Sequence, residues 1–90
     1  MYVVVRGKRW QLIFTEKLPD GVDGLCDNPE TIGKKIRVRK SLTGERLLEV
    51  ILHELEHAAD WDKDEEAVEE IARERARILT RLGYKKNDES

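Results

Sequence analysis

The sequence predicts an α+β domain, a small antiparallel sheet of about three strands followed by a helical hairpin. Two observations carry that prediction. Up to Arg39 the apolar residues alternate with polar ones or cluster as β-branched runs, and beyond Ser41 they recur every three or four residues. Between the early strands lies a stretch, residues 18–33, that holds both prolines and Gly21, Gly24 and Gly33, and reads as an irregular connection.

The first strand is expected over Tyr2 to Arg6 and the second over Arg9 to Phe14, joined by a turn at Arg6-Gly7-Lys8. Trp10, Leu12 and Phe14 share a face and are expected in the sheet core. Lys35-Ile36-Arg37-Val38-Arg39 alternates charge with apolar residues and is read as a half-exposed third strand, with Ile36 and Val38 inward. Leu47, Leu48, Ile51, Leu52, Leu55, Ala58 and Ala59 make the stripe of a first helix capped by Ser41 or Thr43. Val68, Ile71, Ala72, Ile78, Leu79 and Leu82 make the stripe of a second, which Asp62 or Asp64 can cap and Gly83 ends. Trp61 is placed at the corner between the helices. The domain is drawn over residues 1–84, with 85–90 as a polar tail.

The chain has 90 residues, which is too few for two cores. Its 17 basic and 19 acidic residues leave a net charge of -2, so bulk charge gives no case for nucleic acid. No apolar run approaches the roughly 18 residues that span a bilayer, and the start lacks the pattern of a leader, so the expected setting is cytoplasmic with no membrane partner. Cys26, the single cysteine, cannot form an internal disulfide. A core this small gains from a bound metal or a partner subunit.

His53-Glu54-Leu55-Glu56-His57 is an H-E-x-x-H motif inside the first helix, and it uses both histidines of the chain. Residues four apart on a helix stand one turn on, so the two imidazoles can share one metal, for which zinc is expected. The wheel puts them on a flank facing away from the sheet. Glu54 stands about 100° round from His53, a position for a base acting on water and not for a third ligand. The longer pattern, with Gly three and His six residues after His57, is excluded by Asp60 and Lys63. A third ligand must therefore come from Asp64, Glu65, Glu66, Glu69 or Glu70 on the second helix. Glu65 borders that helix's apolar face; Glu69, one turn on, could bond a ligand imidazole; Glu66 and Glu70 lie opposite and read as solvated.

This order, a small sheet, an H-E-x-x-H helix and a helix opening with Glu, resembles the minimal zincin core of the gluzincins. It is especially similar to the very small single-domain metallopeptidases and metallopeptidase-like proteins common in phage genomes. The resemblance covers roughly Trp10 to Tyr84 and is specific at His53, Glu54, His57 and a downstream Glu. It implies a zinc-dependent metallopeptidase acting on a peptide or protein substrate, with His53, His57 and Glu65 as zinc ligands and Glu54 as general base. Larger gluzincins add a downstream His or Tyr for the oxyanion. Here no third His exists, and Tyr84 lies about 28 Å along the helix from Glu65.

A substrate peptide is expected along the edge formed by Lys35 to Lys40, where the bland reading is an edge guarded by charge. Cys26 would be a ligand in a site of the deformylase type, whose glycine-rich and Cys-centred motifs are absent. The rival function is a non-catalytic zinc-stabilised module that binds a protein; it shares the ligands and differs at Glu54.

Overall fold

A two-residue turn joins β1 (Tyr2–Val5) to β2 (Lys8–Thr15), with Val5 opposite Lys8. Its central residues, Arg6 and Gly7, both have positive φ, 49° and 79°, the mirror-image turn whose twist matches that of the flanking strands. Arg6 reaches from there to donate from Nη1 to the carbonyl of Ala59 at 3.3 Å. That carbonyl ends α1 (Gly44–Ala59), where a cation complements the helix dipole.

The computed structural model describes residues 1–84, so the expected polar tail, 85–90, lies outside the described residues. The sheet has four strands, in the order β1-β2-β4-β3, and it is mixed. β4 (Lys35–Arg39) runs parallel to β2, and β3 (Gly24–Cys26) runs antiparallel along the outer side of β4. The expectation of about three antiparallel strands is corrected on both counts. A parallel neighbour requires a long return of the chain, and residues 16–34 supply it. The third strand hidden in that return is three residues long and starts with glycine, too short for alternation to register.

β4 is consequently interior, not the free edge expected for a substrate peptide. Its charged residues hold the return in place. Arg39 bonds Glu16 Oε1 (3.0 Å), Asp23 Oδ1 (3.3 Å) and the carbonyls of Val22 (2.7 Å) and Pro19 (3.1 Å). Arg37 pairs with Asp27 at 3.4 Å.

One face of the sheet carries the core: Trp10, Leu12, Ile36 and Val38 meet Leu47, Val50 and Ala58 of α1. Trp10 is fully buried as expected, whereas Phe14, at the end of β2, is 42% exposed. The second helix, α2 (Glu65–Arg81), packs on α1 and on no strand among the described elements. Its buried ridge is narrow, Val68, Ala72 and Ala76, and the small side chains bring the two helices close. Ile78 and Leu82, expected on the buried stripe, are exposed, because a helix that meets one neighbour buries less than one that also meets a sheet.

Asp64 caps α2, its Oδ2 accepting from the Ala67 N–H at 3.2 Å. Thr43 occupies the N-cap position of α1 without a side-chain bond. At the far end Gly83 (φ 95°) donates to Thr80 O and Tyr84 N donates to Leu79 O, the paired closure of a glycine-ended helix. No described helix is long and apolar enough to cross a membrane.

Candidate metal centre

His53 and His57 sit in the middle and last turn of α1, a stretch kept helical by Leu, Ile and Ala spacing on the opposite side. They do not face away from the sheet as the wheel suggests. Both look into a cleft of about 470 Å³ whose near wall is β3, the strand hidden from the sequence reading. The far wall is the turn after α1 and the start of α2, from which Trp61, Lys63 and Glu65 enter the lining.

Three donor groups converge there. Glu65 Oε1 lies 2.9 Å from His53 Nε2, Glu65 Oε2 lies 2.9 Å from His57 Nε2, and the two Nε2 atoms stand 3.1 Å apart. A tetrahedral zinc with ligands at about 2.0–2.1 Å spaces its donors about 3.3–3.4 Å apart, so the two imidazoles and one oxygen of the Glu65 carboxylate are close enough to share one ion after a small opening and a turn of the carboxylate. Protons alone serve the three groups poorly. If both imidazoles donate to Glu65, two N–H groups face each other at 3.1 Å. One cation satisfies all three donors together, and His53, His57 and Glu65 form the only such group among the described residues.

The competing acids are disposed of by their positions. Asp64 is engaged as the α2 cap. Glu66, Glu69 and Glu70 are exposed and outside the group, and Glu69 makes no bond to either imidazole. Cys26 lines the cleft but is not among the convergent donors; its thiol donates to the Asp27 carbonyl at 3.4 Å. Burial, then the charges of Glu54 and Asp27, push that thiol up to about 12.

Glu54 lines the same cleft and is only 7% exposed. Its carboxyl is pushed up to about 7, first by burial and then by the negative charge of Glu65. The wall beside it is Gly24. A Cβ at that position would stand 2.7 Å from Glu54 Oε2 and 2.9 Å from Val50 Cγ1, so the carboxylate has its place only because β3 begins with glycine.

Two further residues matter that the motif did not indicate. Glu56, on the α2 side of α1, accepts from Lys63 Nζ (3.2 Å) and Arg75 Nη1 (3.1 Å), and so ties the turn and α2 to α1 at the height that puts Glu65 over the histidines. Trp61 does not bury itself at the corner; it is 42% exposed at the lip of the cleft, its ring edge-on to His57 with centroids 6.3 Å apart. Gly24 and Glu56 act through contacts between elements, for which no local spacing exists.

Comparison of the chain with protein-family models, with curated proteins and with solved structures finds no match.

Proposed function

We propose that this protein is a zinc-dependent peptidase-type hydrolase, with His53, His57 and Glu65 holding the metal and Glu54 acting as general base. The observation that carries the reading is the convergence of the three donors beside a carboxylate that no protein cation neutralises. A zinc ion bound there supplies a Lewis acid for a carbonyl and lowers the pKa of a water toward about 7.

The remaining work falls to the chain. Glu54, adjacent in sequence to His53 and pressed against Gly24, takes the proton of the attacking water on a carboxylate oxygen and returns it to the leaving amine. β3 is the free edge beside the cleft and offers main-chain groups to an extended peptide, in place of the interior β4.

A second reading has its own support. Among the residues lining the cleft the only protein cation is Lys63, and Glu56 already holds it, so no side chain is free to stabilise an oxyanion; Tyr84 is exposed at the far end of α2. That favours a zinc-stabilised binding module. One experiment separates the two. Wild type purified from zinc-replete cells should carry about one zinc per chain by mass spectrometry, and Glu65→Ala should lose it. Glu54→Gln should keep the zinc while turnover of a peptide library falls by about two orders of magnitude or more. An intact zinc site with no cleavage by wild type selects the binding module.

A further inference from the structure

The sheet has a second free edge, at β1, on the side away from the cleft. Met1 and Leu12 exchange two main-chain bonds, Leu12 N to Met1 O at 2.8 Å and Met1 N to Leu12 O at 3.2 Å. In an antiparallel pair bonded and non-bonded positions alternate, so Val3 with Trp10 and Val5 with Lys8 exchange bonds, while Tyr2 with Gln11 and Val4 with Arg9 do not. The N–H and C=O groups of Tyr2 and Val4 therefore point outward, and among the described residues nothing accepts or donates to them.

Edges of this kind are normally blunted by charge, proline or a bulge. Tyr2-Val3-Val4-Val5 has none of these. Tyr2 and Val4 are 59% and 72% exposed on the open face of the sheet. On the inner face Val3 and Val5 overhang a groove of about 470 Å³ whose floor is Leu52, Leu55 and Ala59 of α1 and whose charged lining is already engaged, Arg6 on the Ala59 carbonyl and Arg75 on Glu56. With those charges paired within the chain, an uncharged strand suits this edge, and β1 is itself such a strand.

We propose that β1 pairs antiparallel with β1 of a second copy, about a two-fold axis through Val3. The register follows from the free groups. Setting Tyr2 opposite the partner's Val4, and Val4 opposite the partner's Tyr2, joins outward N–H and C=O groups only to outward groups, two bonds on each side of the axis. Each Tyr2 then lies beside the partner's Val4, an aromatic and β-branched cross-strand pair. The axis stands perpendicular to the sheet, so both sets of helices stay on one side and the two inner grooves close against each other. The result is one eight-stranded sheet with a cleft at each far end, and it does not depend on whether the cleft holds metal.

Sedimentation velocity over a concentration series tests the pairing. Wild type is expected to dimerise below about 1 mM. Val4→Pro removes an outward N–H while leaving every β1–β2 bond in place, and Val4→Lys sets a cation beside the partner's Tyr2, over whose ring Arg9 already sits at 4.0 Å. Each should weaken the dimer by about 30-fold or more with an unchanged circular dichroism spectrum. In a Cys26→Ser background, Val3→Cys should oxidise to a covalent dimer and Val5→Cys should not, because directly opposed non-bonded positions bring Cα atoms to about 4.5 Å, within disulfide reach. A monomer throughout the series, a dimer indifferent to both Val4 substitutions, or equal cross-linking at positions 3 and 5 would overturn the proposal; strand pairing with a different protein is then the alternative.

Discussion

The two edges of one small sheet are built to opposite specifications. β3 is three residues long and begins with a glycine pressed against Glu54; Asp23 and Asp27, in ion pairs with arginines of β4 and α1, flank it. β1 is uncharged, apolar on both faces, and runs beside a groove that no side chain of the described residues fills. The first edge is held in place by side chains from the interior strand β4, and what it borders is the cleft of His53, Glu54, His57 and Glu65. The second is held by its hairpin, by Val3 and Val5 against the core and by the Arg6 bond to Ala59, and what it presents outward is main chain. Edge strands in the same sheet can thus carry different tasks when one is locked and shielded by charge and the other is left bare.

Metal removal should separate the edges most strongly. In the proposed site a zinc ion held by His53 and His57 of α1 and Glu65 of α2 would tie two layers together, so a chelator should lower the melting temperature by at least several degrees, and by the same amount in Val4→Lys. An unchanged curve after proven metal loss would show that the β3 side is not clamped by the ion.

A smaller effect is expected from one added methyl group. Gly24→Ala must push aside Glu54 and Val50 and should cost about 1–3 kcal/mol, whereas Val4→Ala on the bare edge, measured on dilute protein, should stay within about 0.5 kcal/mol. Urea denaturation of both variants measures the difference, and equal losses would erase the distinction between the edges.

The mildest contrast is chemical. With its thiol at about 12, Cys26 is thiolate in only about one molecule in ten thousand at pH 8, so alkylation by iodoacetamide should be slow and rise about tenfold per pH unit. A cysteine placed at the exposed position of Val4, in a Cys26→Ser background, should react at the rate of an ordinary thiol. Similar rates at both positions would mean that the β3 edge does not shield its side chains.

How legible these regions are in the sequence follows from the range of the interactions involved. His53, Glu54 and His57 could be read because a helix fixes the geometry of residues four apart, and the helix announces itself through its own leucines. Glu65 could be narrowed to by its position at the border of the α2 apolar face, although only the packed structure separates it from Asp64, whose carboxylate is spent on a cap. Ile36 and Val38 were readable as inward residues; that their strand lies between two others was not, because its parallel neighbour is fixed by a return of the chain over residues 16–34. The same return hides Gly24. Arg37 and Arg39 carry charge on alternate positions, a pattern identical for a guarded edge and for a strand that binds its own crossover. Ile78 and Leu82 were misassigned since the wheel counts apolar residues without knowing how many neighbours a helix has.

The layering has a consequence for how the molecule breathes. α2 packs on α1 alone, its fully buried residues being one valine and two alanines, while α1 also packs on the sheet, at β1, β3 and β4. Opening of the outer layer leaves α1 and the sheet packed together, so amide protons of α2 should exchange with solvent well before those of β2 and β4. Glu65 belongs to the first turn of that outer layer. Every excursion that lifts α2 therefore takes one donor away from the two histidines, and the lifetime of an ion in the proposed site would be set by the local unfolding of the outer helix.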